Sequence, residues 1–211
     1  MIILTGAIAL GGTASAFIFW GQLGVLQAQL DQMAADQRPW IHADLSIEEP
    51  VTLDTNGMNF SLRFIVKNNG RTPAIFVWNY LQPFLGEDDA QTPLQHQKKL
   101  CLSLRKTIGP TADGFTLFPD QTVELRHHLT IAPAAFATDR SGASFVNIVG
   151  CTDYQTTGAK THHQTGFIYR LVQTNLSDRD RLWSIGLDDG AMPVGKFRLE
   201  PSLDGGAFYA D

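Results

Sequence analysis

The N-terminal segment constrains what this chain can form more than any other part of it. Residues 2–26 contain no charged side chain. At about 1.5 Å per residue, a helix of this length crosses the ~30 Å hydrocarbon core of a bilayer. We therefore predict a single-pass membrane protein whose N-terminal helix is an uncleaved anchor.

A cleaved signal peptide is the competing interpretation of this segment. Ala14, Ser15 and Ala16 are small residues of the kind that signal peptidase accepts. However, no Lys or Arg precedes the apolar run, and residues 17–20 continue that run beyond the cleavage position. The anchor fits the pattern better.

Apolar residues continue past the predicted span at the spacing of a coiled-coil seam. Pro39 ends the pattern, because proline disfavours the helical conformation of the residue before it. Within the predicted span, small residues at every fourth position permit close approach of a second helix. We predict self-association, or pairing with another membrane protein, through these two stripes. The seam comprises Ala16, Phe19, Leu23, Leu26, Leu30 and Met33, and the small-residue stripe comprises Ala7, Gly11 and Ser15.

Charge and length divide the chain into two predicted parts. Residues 1–37 form a transmembrane helix and amphipathic stalk, and residues 38–211 form one domain. All 16 lysines and arginines fall in the second part, without a basic block. Since phosphate neutralisation needs clustered cations, we expect no nucleic acid partner. The nearest approach to a cluster is a set that we interpret as a solvated face: Lys98, Lys99, Arg105 and Lys106.

The sequence gives little information on which side of the membrane the domain lies. Arg38 is the only basic residue close to the anchor, which favours a cytoplasmic domain. Cys101 and Cys151 could form one disulfide in an oxidising compartment or remain two thiols in the cytosol. Both placements stay open, with the cytoplasmic one preferred.

After the stalk, the hydrophobic pattern has a period of two. Residues 60–66 alternate apolar and polar, as in an antiparallel strand with one wet face. A turn over 68–73 leads to a second strand over 74–81, and we expect these strands to form a hairpin. Because short strands dominate and long helical patterns are absent, we predict a mainly β fold, an antiparallel β-sandwich that is immunoglobulin-like in the broad sense. The other predicted strands are 41–47, 100–104, 122–131, 145–151, 166–172 and 196–199.

Four short motifs stand out in the chain: Arg-Pro-Trp-Ile at 38–41, Asn-Gly-Arg-Thr-Pro-Ala at 69–74, Gly-Cys-Thr-Asp-Tyr at 150–154 and His-His-Gln-Thr-Gly-Phe at 162–167. They resemble those of a group of uncharacterised bacterial membrane-anchored proteins. The resemblance implies an anchored, β-rich domain in a bacterium. It implies no chemistry and supplies no catalytic residue.

The most informative polar group is Asp153 with His162 and His163, which are joined by the loop 155–161 and are expected near the open end of a hairpin formed by the predicted strands 145–151 and 166–172. A carboxylate beside an imidazole can hold Zn²⁺ or another divalent ion, or act as a general acid/base pair. Successive strand residues point to opposite faces, so the two histidines are not expected to share one ion. We prefer the alternative of a hairpin end, where Asp153 accepts backbone N–H bonds and the histidines are partly exposed.

Two further candidates have structural explanations. His127 shares the apolar face of the strand 122–131, where we expect a hydrogen-bonded core histidine, while His128 lies on the outer face. Cys151 is a poor candidate for a nucleophile, because buried thiols are usually inert.

The function predicted from these observations is a membrane-anchored protein-interaction or scaffold module, a subunit or accessory component of a membrane assembly. We expect no cofactor. No phosphate-binding loop, nucleophile elbow, zinc-protease helix or Cys-x-x-Cys pair occurs in the sequence. The alternative is a membrane-tethered metal-dependent or hydrolytic enzyme that uses Asp153 with His162 or His163. A carrier of a small apolar ligand is a third interpretation, which rests on apolar content alone.

Overall fold

Two units make up the chain, Met1–Arg38 and Pro39–Asp211. Among the residues that the structure describes, no helix is long and apolar enough to cross a membrane. The structure is a computed structural model that describes residues 19–33, 37–85, 92–107, 114–133, 146–158, 161–173, 191–192, 194–202 and 209–210.

In the first unit, residues 19–33 form a helix, α1. Gln27 Nε2 donates to Asp31 Oδ1 one turn later, at 3.0 Å, on the polar side of the helix. The part of the predicted span before residue 19 lies outside the described residues, and so do four of the predicted interaction residues. The seam residues present in α1 are all exposed: Phe19, Leu23, Leu26, Leu30 and Met33.

The second unit is mainly β, with antiparallel sheets. The first sheet is built around one long strand, whose two edges are both occupied because β1 and β6 pair with overlapping parts of it. β2 pairs with the start of the same strand, and β9 pairs with β2. The strands are β1 (Ile41–Ile47), β2 (Val51–Asp54), β3 (Gly57–Asn68, the central strand), β6 (Thr122–Ile131) and β9 (Ala191–Met192).

The second sheet has the order β10, β8, β7, β4, β5, and β11 also pairs with β8. A short 3-10 helix, Val194–Lys196, precedes β10. The strands are β4 (Ala74–Leu85), β5 (Phe115–Leu117), β7 (Val146–Thr156), β8 (His162–Gln173), β10 (Phe197–Pro201) and β11 (Tyr209–Ala210).

Alternate residues of the two sheets form one shared hydrophobic core. Phe64 of β3 and Phe167 of β8 are fully buried, with ring centroids 5.3 Å apart. Gly150 lies opposite Phe167 in the β7–β8 ladder. A Cβ at this position would lie 2.1 Å from the Phe167 ring, so only glycine leaves room for that side chain. The core therefore depends on a small residue in the middle of β7.

Asn68, at the end of β3, connects the two sheets. Its side chain is fully buried, and Nδ2 donates to the Thr72 and Leu117 carbonyls at 2.8 and 3.0 Å. Its Oδ1 accepts from the Trp40 and Gly70 amides at 3.2 and 2.9 Å. All four hydrogen-bonding positions of the amide are used, so burial of this polar group is compensated.

A helix, α2 (Pro93–Thr107), lies on the outer face of the second sheet. Thr92 Oγ1 accepts from the Gln95 amide at 3.3 Å, and Gln95 Oε1 accepts from the Thr92 amide at 3.1 Å, as in a capping box. Pro93 occupies the first helical position, where its missing N–H costs nothing. Apolar residues between helix and sheet form a second small cluster: Phe84, Leu94, Leu100, Val149 and Ile168.

The structure corrects two predictions about secondary structure and confirms a third. Residues 100–104 belong to α2 and not to a strand, so a long helix does occur in the second unit. β3 and β4 lie in different sheets and form no hairpin, because β1 and β6 already occupy the edges of β3. The prediction of a hairpin from β7 and β8 is confirmed.

Candidate functional site

The residues around Asp153 form a polar cluster that includes a fully buried carboxylate. In the β7–β8 ladder, Asp153 lies opposite Gln164, and Gln155 lies opposite His162. Paired residues and alternate residues along a strand share a face. These four side chains therefore lie on the face of the sheet that carries α2.

The Asp153 carboxylate is fully buried and has three partners. Its Oδ1 lies 2.6 Å from His162 Nδ1, and its Oδ2 accepts from Gln164 Nε2 at 2.9 Å. Arg105 Nε of α2 lies 3.9 Å from Oδ2. A buried carboxylate needs this compensation, because an unpaired charge in the protein interior is strongly destabilising.

Both ring nitrogens of His162 are engaged. Because a carboxylate only accepts, Nδ1–H donates to Asp153. Nε2 then accepts from the Gln155 side-chain amide, whose Nε2 lies 2.6 Å away. An Asp–His pair acts as a general base only when the second nitrogen is open to a reacting group. In this arrangement Gln155 occupies that position.

The same cluster fastens α2 to the sheet. Gln164 Nε2 also donates to the Cys101 carbonyl of α2 at 2.7 Å. Arg105 Nη2 donates to the His162 carbonyl at 3.5 Å, a long contact. Next to them, a disulfide joins Cys101 to Cys151 of β7, with the Cα atoms 5.5 Å apart. Covalent and polar links thus converge on one side of the helix.

No protein-family model, curated protein sequence or solved structure matches this chain. The resemblance to bacterial membrane-anchored proteins therefore stays a prediction. The interpretation of the Asp153 cluster rests on its own geometry.

The three residues predicted as metal candidates separate into two locations. Asp153 and His162 are in direct contact, whereas His163 pairs with Tyr154 on the opposite face, with ring centroids 5.8 Å apart. In the described part of the chain, no three His, Cys, Asp or Glu side chains are grouped as metal ligands. The geometry is that of a structural hydrogen-bond network.

The preferred sequence interpretation of Asp153 needs correction. The strand continues to Thr156, so Asp153 lies within the ladder and bonds side chains of the neighbouring strand and of α2, not backbone amides of a turn. Sequence reasoning also missed Gln155, Gln164 and Arg105. The period-two pattern of a hairpin could have placed the two glutamines beside Asp153, but nothing local pointed to Arg105.

His127 and His128 point to opposite faces of β6, as predicted. His127 packs edge-on against the core residue Phe64, with ring centroids 5.8 Å apart, and burial lowers its pKa. Its Nε2 is buried and has no hydrogen-bond partner among the described residues, unlike the hydrogen-bonded core histidine that we expected. On the outer face, His128 Nδ1 lies 2.7 Å from Ser61 Oγ, which also bonds Glu49.

Replacement of His127 by phenylalanine should stabilise the domain against acid. The unfolded chain binds a proton at the ordinary histidine pKa of about 6.5, whereas the folded chain binds it only at lower pH. Stability contributed by neutral His127 is therefore lost as the pH falls below about 6.5. We expect His127→Phe to raise the free energy of unfolding by about 1 kcal/mol at pH 7, because it removes a buried unpaired nitrogen, and to weaken the dependence on pH. Urea unfolding between pH 5 and pH 8 measures both effects.

Leu129→Phe is the matched control, since it places a phenylalanine on the same face of β6 without removing an imidazole. Its dependence on pH should equal that of the parent protein. Some dependence should remain in His127→Phe, because burial and Lys99 also lower the pKa of His96. An unchanged pH profile in His127→Phe would show that His127 titrates alike in the folded and unfolded chain.

Proposed function

We propose that this chain is a membrane-anchored interaction module, in which the N-terminal helix inserts in a bacterial inner membrane and pairs with a second copy or another membrane protein. The observation that carries the proposal is the exposed seam of α1. In this module, the second unit is a β-sandwich, immunoglobulin-like in the broad sense, that the helix holds near the bilayer.

The exposed seam supports a helical partner, because leaving these apolar side chains in water is energetically unfavourable. Phe19, Leu23, Leu26, Leu30 and Met33 are each more than half exposed. Burying one such side chain contributes about 1.5–3 kcal/mol, and a helix of this length is marginal in water without packing partners. The spacing of 3 and 4 residues fits the facing seam of a second helix.

The disulfide supports a domain on the oxidising side of the membrane, opposite to the cytoplasmic side preferred from the sequence. Cys101 and Cys151 are both buried and bonded to each other. Disulfides persist in the periplasm and outside the cell, whereas cytosolic thiols are kept reduced. We therefore place the module at the periplasmic face. One basic residue after the anchor is weaker evidence than a bonded cysteine pair.

The alternative of a tethered enzyme has less support. The direct contact of Asp153 with His162 supports the enzyme alternative. Two contacts disfavour this alternative, because Gln155 is hydrogen-bonded to the second nitrogen of His162 and α2 covers the carboxylate. A general base needs that nitrogen within reach of a substrate.

Paired acidic substitutions test the seam. Leu26→Asp with Leu30→Asp should abolish the chemical crosslinking of full-length protein in native membranes, because two carboxylates cannot be buried between apolar helices. Crosslinked bands of twice the chain mass identify self-association, and mass spectrometry of larger adducts identifies another partner. We expect at least a 10-fold loss of crosslinked product.

Ala28→Asp with Gln32→Asp is the control pair, with the same spacing and the same added charge on the other side of α1. Crosslinking of this variant should equal that of the parent protein. Equal crosslinking of both variants would remove the seam from the proposed function, and equal loss in both would trace the effect to charge near the membrane.

A further inference from the structure

The outward face of α2 is a positively charged surface on an acidic protein. The helix contains four basic residues and no acidic residue, although the chain carries a net charge of −5. Arg105 turns towards Asp153. The other three cations, Lys98, Lys99 and Lys106, are exposed and form no ion pair with any described residue.

Apolar surface is interleaved with these lysines. Leu102 lies one turn after Lys98 and is 57% exposed. Together with the lysines it lines a shallow groove along the helix. Tyr80 of β4 lies opposite Cys151, on the face of the sheet that carries α2, and is 47% exposed. We call Lys98, Lys99, Leu102 and Lys106 the lysine face.

The lysine face is held in a fixed position on the sheet. The disulfide of Cys101 and the hydrogen bond from Gln164 to the Cys101 carbonyl fasten the centre of α2. Below the helix, Leu94 and Leu100 pack against Val149 and Ile168. A preorganised surface loses little conformational freedom when it binds.

From these observations we infer that the lysine face binds the anionic phospholipid headgroups of the membrane to which the chain is anchored, an inference that rests on the proposed function. Lysines are attracted to anionic lipid, while the leucine among them and the exposed tyrosine on the same side of the sheet suit the boundary between headgroups and acyl chains. Three lysines bind weakly in free solution. A tether raises their effective concentration at the bilayer, so that a weak contact is sufficient.

This chemistry favours lipid over other anionic partners. A nucleic acid groove usually tracks the phosphate backbone with more cations, and its affinity comes almost entirely from charge. An acidic protein would match the lysines and would need its own apolar patch for Leu102 and Tyr80. The bilayer provides both kinds of contact at once, and the anchor keeps it within reach.

The test uses full-length protein in nanodiscs of zwitterionic phospholipid, with or without anionic phosphatidylglycerol. A single cysteine is introduced by Ser103→Cys on the lysine face, or by Thr122→Cys on the outer face of β6 as the reference position, and is labelled with an environment-sensitive fluorophore. We expect emission at position 103 to shift to the blue, and to be quenched by spin-labelled lipid, only in the anionic nanodiscs. About 0.5 M NaCl should reverse the shift.

Charge reversal supplies the matched variants. Lys98→Glu with Lys99→Glu and Lys106→Glu should reduce the docking equilibrium constant roughly 100-fold, from the contribution expected for three lysines near anionic lipid. The control, Lys67→Glu with Arg71→Glu and Lys196→Glu, changes the net charge equally at other positions and should dock like the parent protein.

The remaining outcomes overturn the inference. Equal signals at positions 103 and 122, equal signals in both lipids, or equal loss in both charge variants would each exclude specific docking of lipid on the lysine face. Energy transfer between labelled copies without lipid quenching would assign the face to a second copy, and a shift that needs an added acidic protein would assign it to that partner.

Failure of the anchor gives a different result. If the protein does not coelute with nanodiscs of either composition, the proposed membrane anchor is wrong. Cosedimentation of the same protein with vesicles that contain phosphatidylglycerol then tests the lysine face by itself. Sedimentation that is lost on reversal of the three α2 lysines would support the face, and absence of sedimentation would overturn it.

Discussion

Replacement of Cys101 and Cys151 together by alanine should lower the free energy of unfolding by about 4 kcal/mol. The disulfide joins positions separated by 50 residues. Closing a loop of this length removes roughly that much conformational free energy from the unfolded chain. Equilibrium urea unfolding of the oxidised parent and the double variant measures the difference. Hydrogen exchange should show the loss of protection concentrated in α2, which the disulfide fastens to β7.

Two comparisons isolate the covalent bond in this experiment. Reducing agent should destabilise the parent protein by a similar amount and should leave the double variant unchanged. In intact cells, a maleimide reagent of high mass should label the cysteines only after denaturation and reduction. Labelling of denatured protein without reductant would show that the thiols are reduced. It would contradict the proposed periplasmic location and favour the cytoplasmic side.

Where alternation marks one wet and one buried face, the sequence predicts the fold well. The boundaries of β1 and β6 are those expected from period two, and the inward and outward faces of β6 agree residue by residue. Such strands have one face in solvent and one face in the core, so a polar or an apolar residue indicates the face on which it lies. β4 and β8 extend beyond their predicted ends, since β4 continues through Gln82 and Pro83 to Leu85 and β8 begins at His162, where polar residues do not mark a strand.

The helix α2 shows how a pattern can mislead. Leu100, Leu102 and Leu104 alternate with smaller residues, which indicates a strand, yet Leu102 faces outward and is exposed in the folded domain. The better signal stood earlier in the chain. Thr92, Pro93 and Gln95 form a helix start with a capping box, and a local start signal of this kind outweighs a short alternation.

The residues of the candidate site also differ in how far the sequence could predict them. Asp153 and His162 were identifiable because a hairpin brings the residues on either side of its loop close together, as the β7–β8 ladder shows. Arg105 and the Cys101 carbonyl come from an element some fifty residues earlier in the chain. Their approach depends on the docking of α2, which is a tertiary event without a local signal. The role of the cluster, fastening a helix, therefore emerged only from the folded structure.

Truncation of Phe64 to alanine should cost about 3–5 kcal/mol of unfolding free energy. Phe64 is fully buried at the centre of β3, between Leu45 of β1 and Leu125 of β6. Its ring contacts Phe167 of the opposite sheet. Alanine would lose the transfer free energy of the ring and would leave a cavity between two sheets that cannot collapse independently. Urea unfolding with the parent and variant measured at the same pH gives the difference.

Phe118→Ala is the control for this substitution, because Phe118 is 58% exposed and its removal should change stability by less than about 1 kcal/mol. A loss below about 1 kcal/mol at Phe64 would mean that the two sheets do not share this core. A loss in the expected range, combined with an unchanged hydrogen-exchange rate in α2, would show that the inner core and the attachment of α2 stabilise different parts of the domain. The inner core would then hold the sheets together, while the disulfide and the Asp153 cluster would hold the helix on their outer face, where the lysine face depends on it.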